Sequence, residues 1–138
     1  MNDIERAKFI LEARKASVVF CSAEQEIILD GKGIRPLLEV MKTRTAFSEF
    51  SVADKIVGKA AAFLFVKMKV AFVYGSVMSE KAKEIFLRCN IPFSYQTLTK
   101  VIINRKGDGV CPMEKAVENV SDPEEAYQIL KNTVYRMQ

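Results

Sequence analysis

Residues 51 to 74 read SVADKIVGKAAAFLFVKMKVAFVY, and two properties of this stretch decide how the fold is read. From Ala60 to Val66 every side chain is apolar, with a lysine only on either flank, so a helix through it has no polar face and must be buried on several sides. From Val70 to Tyr74 the chain is again continuously apolar, the pattern of a strand covered on both faces. Ser51-Val-Ala-Asp54 supplies helix-starting residues and predicts one long helix from there to about Lys69. After the strand, Ser76 to Ser79 form a turn into a helix through Cys89, with Ala82, Ile85 and Phe86 on its inner face. A strand followed by such a helix is a β-α unit.

Upstream, Ile4, Ala7, Phe9, Ile10 and Leu11 recur at helical spacing, and Ser17 to Cys21 then turns short and β-branched. A second strand at Glu26 to Leu29, ended by Asp30-Gly31-Lys32-Gly33, makes a hairpin. Pro36 suits the first turn of a short helix through Val40 and Met41. Downstream, Phe93 to Ile103 reads as another strand, Asp108-Gly109 breaks it, Cys111-Pro112-Met113-Glu114 starts a helix, and Asp122-Pro123-Glu124-Glu125 starts the last. The order predicts one α/β domain over residues 1–138, a mixed sheet with helices on both faces.

Composition narrows the chemistry more than it names a function. The 138 residues are 49% hydrophobic and 28% charged, enough for one self-standing core. Histidine is absent, which removes Ser-His-Asp and Cys-His nucleophile arrangements and histidine metal sites. A net charge of +4, scattered along the chain, suits a small anionic ligand better than nucleic acid, which would call for a denser basic stripe. Cys21, Cys89 and Cys111 are far apart and odd in number, so neither a disulfide framework nor a zinc ribbon is expected. Charged residues among the first eight do not make a signal peptide, and the apolar run 60–66 is too short to span a bilayer. The expected compartment is the cytoplasm, with no membrane association.

Gly33-Ile-Arg-Pro-Leu-Leu38, Ala53-Asp-Lys-Ile-Val-Gly-Lys-Ala-Ala-Ala62, Val73-Tyr-Gly-Ser76 and Asn104-Arg-Lys-Gly-Asp-Gly-Val-Cys-Pro-Met-Glu114 resemble a small prokaryotic family of unknown function that is similar in fold to the cytidine deaminases. The resemblance runs from Gly31 to Tyr127 and implies a three-layer cytidine deaminase-like domain. Zinc deaminases place a His or Cys, with Glu two residues on, at one core helix start and Pro-Cys-x-x-Cys at the next. The corresponding places here are read as Asp54-Lys55-Ile56 and Ser76-Val77-Met78-Ser79, which offer zinc no soft donors. No metal and no cofactor is therefore expected. The same resemblance, with the apolar content, implies a homo-oligomer.

The leading functional reading is a zinc-free domain that binds a small anionic ligand, nucleotide-like or sugar-containing, in a sensing or regulatory role. Lys55 and Lys59, four apart on the expected helix, would share a face near its positive end and hold the anion. Asp54 would orient them or accept a hydrogen bond from the ligand, Ser76 would form a polar wall, and Arg105, in the glycine-containing loop 104–109, would add a bidentate contact. The structural alternative pairs the lysines with carboxylates such as Asp54 or Glu114. An enzymatic alternative uses Cys111 as a thiol nucleophile at a helix N-cap and Lys59 as general base. A nucleic-acid-binding module is a third, disfavoured reading.

Overall fold

The computed structural model describes residues 1–44, 46–103, 107 and 109–136. In chain order the elements are α1 (Asp3–Ala13), β1 (Val18–Cys21), β2 (Glu26–Leu29), α2 (Arg35–Val40), β3 (Ser51–Val57), α3 (Lys59–Met68), β4 (Phe72–Ser79), α4 (Glu80–Arg88), β5 (Phe93–Thr99), α5 (Pro112–Ala116) and α6 (Pro123–Arg136). The five strands form one sheet in the order β2-β1-β3-β4-β5. β1 runs antiparallel to both β2 and β3, whereas β3, β4 and β5 are parallel.

The chain departs from the sequence-based expectation at residues 51 to 57, which form the central strand instead of the first two turns of a long helix. Asp54 pairs with Val18 on one side and Gly75 on the other, so both edges of this segment are taken up by ladders. Val52 and Ala53 bury their side chains completely on opposite faces of the sheet, which a local helical preference of Asp-Lys-Ile cannot match. Gly58 then ends the strand as the N-cap of α3. β4 likewise runs on to Ser79, so Ser76 belongs to a strand and not to the expected turn, and β5 stops at Thr99, short of Ile103.

The two faces of the sheet carry separate cores. On one, Ala7 and Leu11 of α1 pack with Val19, Cys21, Ala53 and Tyr74. The other holds the larger core around α3, where seven of ten residues, Ala60 to Phe65 and Met68, are buried. This is the helix apolar on all sides that the sequence requires; α4 and α6 flank it. Phe20 meets Phe65 of α3 and, beside it, Phe47 and Phe50 at ring separations of 5.8 to 6.3 Å. α3 stops at Lys69, in the left-handed conformation at φ 58°. Ser79 starts α4 by accepting a 3.0 Å hydrogen bond from the Ala82 N–H.

Candidate functional site

Three parallel strands bring their carboxyl ends to one edge of the sheet, and an open α/β sheet leaves a crevice there. α3 begins two residues after β3 and α4 directly after β4, and the segment beyond β5 leads to α5. The crevice holds a cavity of about 140 Å³. Its wall carries Lys59, Lys81, Lys100 and Lys115, with Ser79, Glu114 and Glu118. Val101, Ile102 and Val110 complete it with apolar surface.

Glu114 is committed within this wall. Its carboxylate accepts hydrogen bonds from the backbone N–H of Lys59 at 2.7 Å and of Ala60 at 2.8 Å, satisfying two donors in the first turn of α3. The approach is so close that a Cβ at position 58 would lie 2.6 Å from Glu114 Cδ and 2.8 Å from Oε2. Gly58 therefore owes its identity to the carboxylate beside it, since its backbone, at φ −97° and ψ −174°, is open to any residue. In a conventional capping box Glu114, three residues after Cys111, would bond back to its own N-cap; here it caps a helix 55 residues earlier.

Lys59 is held in the cavity wall by its own contacts. Its ammonium donates to the Glu118 carbonyl at 3.0 Å and lies 5.6 Å from the centre of the Phe63 ring. Burial, reinforced by the positive charges of Lys81 and Arg88, holds its pKa below the ordinary lysine value, against the opposing pull of Glu114 and Glu118. With Glu114 engaged by α3, the four lysines of the wall face a deficit of free negative charge.

The other expected site residues fall elsewhere. Lys55 is an exposed residue of β3, not a helical neighbour of Lys59, and its ammonium donates to the Lys15 carbonyl at 3.3 Å, away from the cavity wall. Asp54 is half-buried in the middle of the sheet, where burial pushes its carboxyl up to about 7 despite hydrogen bonds from the backbone of Ile56 and Lys55. Ser76 is half-buried on β4 and does not line the cavity. Cys111 does stand at the N-cap of α5, but its side chain makes no capping hydrogen bond and packs half-buried against the larger core, off the wall that Lys59 lines. Arg105 lies outside the described residues. Sequence reading missed Lys81, Lys100, Lys115, Glu118 and Gly58. The available signal was position: Lys59, Lys81 and Lys100 each follow the last residue of a parallel strand by no more than two residues.

Among the described residues no group of three or more His, Cys, Asp or Glu side chains could hold a metal ion, and no helix is long and apolar enough to cross a membrane. A family model described as "TM1506: Domain of unknown function (DUF1893)" matches residues 6–134. The crystal structure of a DUF1893 family protein (TM1506) from Thermotoga maritima is similar throughout, with a TM-score of 0.90 and 30% sequence identity over 95% of this chain and 89% of that one. Among curated proteins none matches the chain.

Proposed function

The chain belongs to the TM1506 family, a domain of unknown function (DUF1893), and from that premise we propose that it is a zinc-free deaminase-like domain that binds a small anionic ligand in the cavity beyond β3, β4 and β5. The observation that carries this reading is the convergence of Lys59, Lys81, Lys100 and Lys115 on one cavity in which one of the two carboxylates is already bonded to backbone. Four ammonium groups against the carboxylates of Glu114 and Glu118 leave an excess of positive charge on the wall, so a phosphate or carboxylate is the complementary group.

The deaminase-like part rests on sheet order, with an antiparallel β1 between β2 and three parallel strands, and on the position of the cavity at two core helix starts. Those starts read Gly58-Lys59-Ala60 and Ser79-Glu80-Lys81, four and three residues later than the Asp54 and Ser76 that the sequence suggests, and they too lack sulfur and imidazole donors. Ammonium groups at these places repel a metal ion, so zinc does not fit this donor set. A sensing or regulatory role in the cytoplasm is the accompanying proposal. Self-association is supported by the exposure of Val101, Ile103 and Val110, of which Val101 and Val110 also line the cavity.

Thermal melting with inorganic phosphate against chloride at matched ionic strength tests the binding. Phosphate raises the melting temperature of the native chain, and Lys59→Met or Lys100→Met weakens its affinity by about 10- to 150-fold, the loss of one charge-assisted hydrogen bond. An equal response in all three proteins, or none, overturns the reading.

A further inference from the structure

We propose that Lys59 is a nucleophilic amine that captures the ligand as an imine, so that the ligand is a short aldehyde or ketone that also carries a carboxylate or phosphate. The proposal rests on the anion-binding reading of the same cavity and names the substrate class.

Lys59 is held where such chemistry needs it. It lies in the first turn of α3, with its backbone N–H fixed by Glu114 at 2.7 Å. The Glu118 carbonyl accepts one N–H from Nζ at 3.0 Å, which positions the nitrogen without consuming its lone pair. A lysine becomes a nucleophile when burial and neighbouring cations disfavour its charged form. Here burial, Lys81 and Arg88 act in that direction, and Glu114 and Glu118 oppose them without reversing the balance. Lys81, Lys100 and Lys115 remain on the wall to hold an anionic group, and the cavity of about 140 Å³ admits a short chain between that group and Nζ.

The step balances without a redox partner. Lys59 loses a proton to solvent, its lone pair adds to the carbonyl carbon, and the π pair of the C=O bond moves onto oxygen, which takes a proton from the adduct nitrogen and becomes a hydroxyl. The hydroxyl leaves as water with the remaining nitrogen proton as the C=N bond forms, and the return of water releases the ligand unchanged.

Reductive trapping tests the proposal. The protein is incubated near neutral pH with sodium cyanoborohydride and either pyruvate or dihydroxyacetone phosphate, and the alkylated lysines are located by peptide mass mapping. Lys59 is expected to be labelled at least about tenfold faster than the exposed Lys32 and Lys69, and inorganic phosphate is expected to protect it. Faster trapping with pyruvate assigns a carboxylate ligand and faster trapping with dihydroxyacetone phosphate a phosphate ligand. Lys59→Arg, which keeps the charge, abolishes the fast labelling. Lactate, which has no carbonyl, separates this idea from the anion site beneath it. A lactate- or phosphate-dependent rise in melting temperature with Lys59 labelled no faster than Lys32 overturns imine formation alone, and loss of both overturns the site.

Discussion

Replacing Gly58 by Ala isolates the contact that joins α5 to α3. Residue 58 has an extended backbone, φ −97° and ψ −174°, so Ala brings no conformational strain. Its lower unfolded-state entropy favours the folded protein by about 0.4 to 1 kcal/mol, which the weaker N-capping of Ala relative to Gly roughly offsets. What remains is the collision of the new Cβ with the Glu114 carboxylate, 2.6 Å from Cδ and 2.8 Å from Oε2. Because the glutamate side chain can swing away, the cost has a ceiling: the worth of the two hydrogen bonds it abandons, at 2.7 and 2.8 Å. At about 1.5 to 3 kcal/mol for each charge-assisted bond into a partly buried helix start, the two together place that ceiling at about 3 to 6 kcal/mol. Glu114→Ala should cost the same, since it removes the same bonds. The double variant should then be no worse than either single one, giving a coupling energy as large as each separate loss. Urea unfolding of the four proteins, followed by far-ultraviolet circular dichroism, measures this cycle. Losses that add to within about 0.5 kcal/mol would mean that Gly58 and Glu114 act independently, and the capping argument would be wrong.

Asp54 predicts a pH dependence of unusual sign. Its folded pKa of about 7 exceeds the reference 3.8, so the native state binds the extra proton and stability attributable to this group falls as pH rises from about 4 through 7. The difference corresponds to something on the order of 1 to 4 kcal/mol. Asp54→Asn should therefore gain stability over the native chain at pH 8 relative to pH 4, and parallel pH–stability curves for the two proteins would contradict it. Gly75→Ala should destabilise by about 1 to 3 kcal/mol through overpacking, because its Cβ would sit 3.0 Å from Val57 Cγ2 and 3.2 Å from the Val77 carbonyl; a neutral melt would refute that. Lys59→Met, free of ligand, should shift stability by no more than about 1 kcal/mol, since losing the hydrogen bond to Glu118 is offset by relief from Lys81 and Arg88. A loss of several kcal/mol in phosphate-free buffer would make Lys59 structural. Light scattering at high protein concentration should show a dimer or larger species, and monomer alone would exclude self-association through Val101, Ile103 and Val110.

Periodicity carries the elements whose pattern is self-contained. α1 shows its Ala7 and Leu11 stripe, the β1–β2 hairpin its short apolar runs, and α3 its unbroken apolarity, and all are legible before folding is considered. Residues 51 to 57 are not, because Ser, Asp and Lys are acceptable in a helix start and the strand is imposed by β1 and β4 on either side. Gly58 was the local clue, as a glycine standing directly before Lys59. The error propagates to the site: a helix places Lys55 beside Lys59, whereas a strand followed by a helix sends Lys55 to the Lys15 carbonyl and leaves Lys59 at the cavity. Lys59, Lys81 and Lys100 come together because three parallel strand ends share an edge, which their place just after each strand foreshadows, whereas Lys115 arrives on α5 and spacing along the chain holds no record of that.

The capping of α3 by Glu114 also bears on the order in which the protein can be completed during synthesis. β3, α3 and β4 emerge from the ribosome well before residue 114, so the most deeply buried helix of the domain is made with two of its first N–H groups lacking their final partner. Domains ordinarily fold as units once their chain has been made. Here the last quarter of the chain brings both the carboxylate that closes the start of α3 and, in α6, a helix that packs along its length. A nascent chain halted before Cys111 should hold its sheet and α1 in place while α3 frays from Lys59, and the domain becomes resistant to protease only when its final segment has docked.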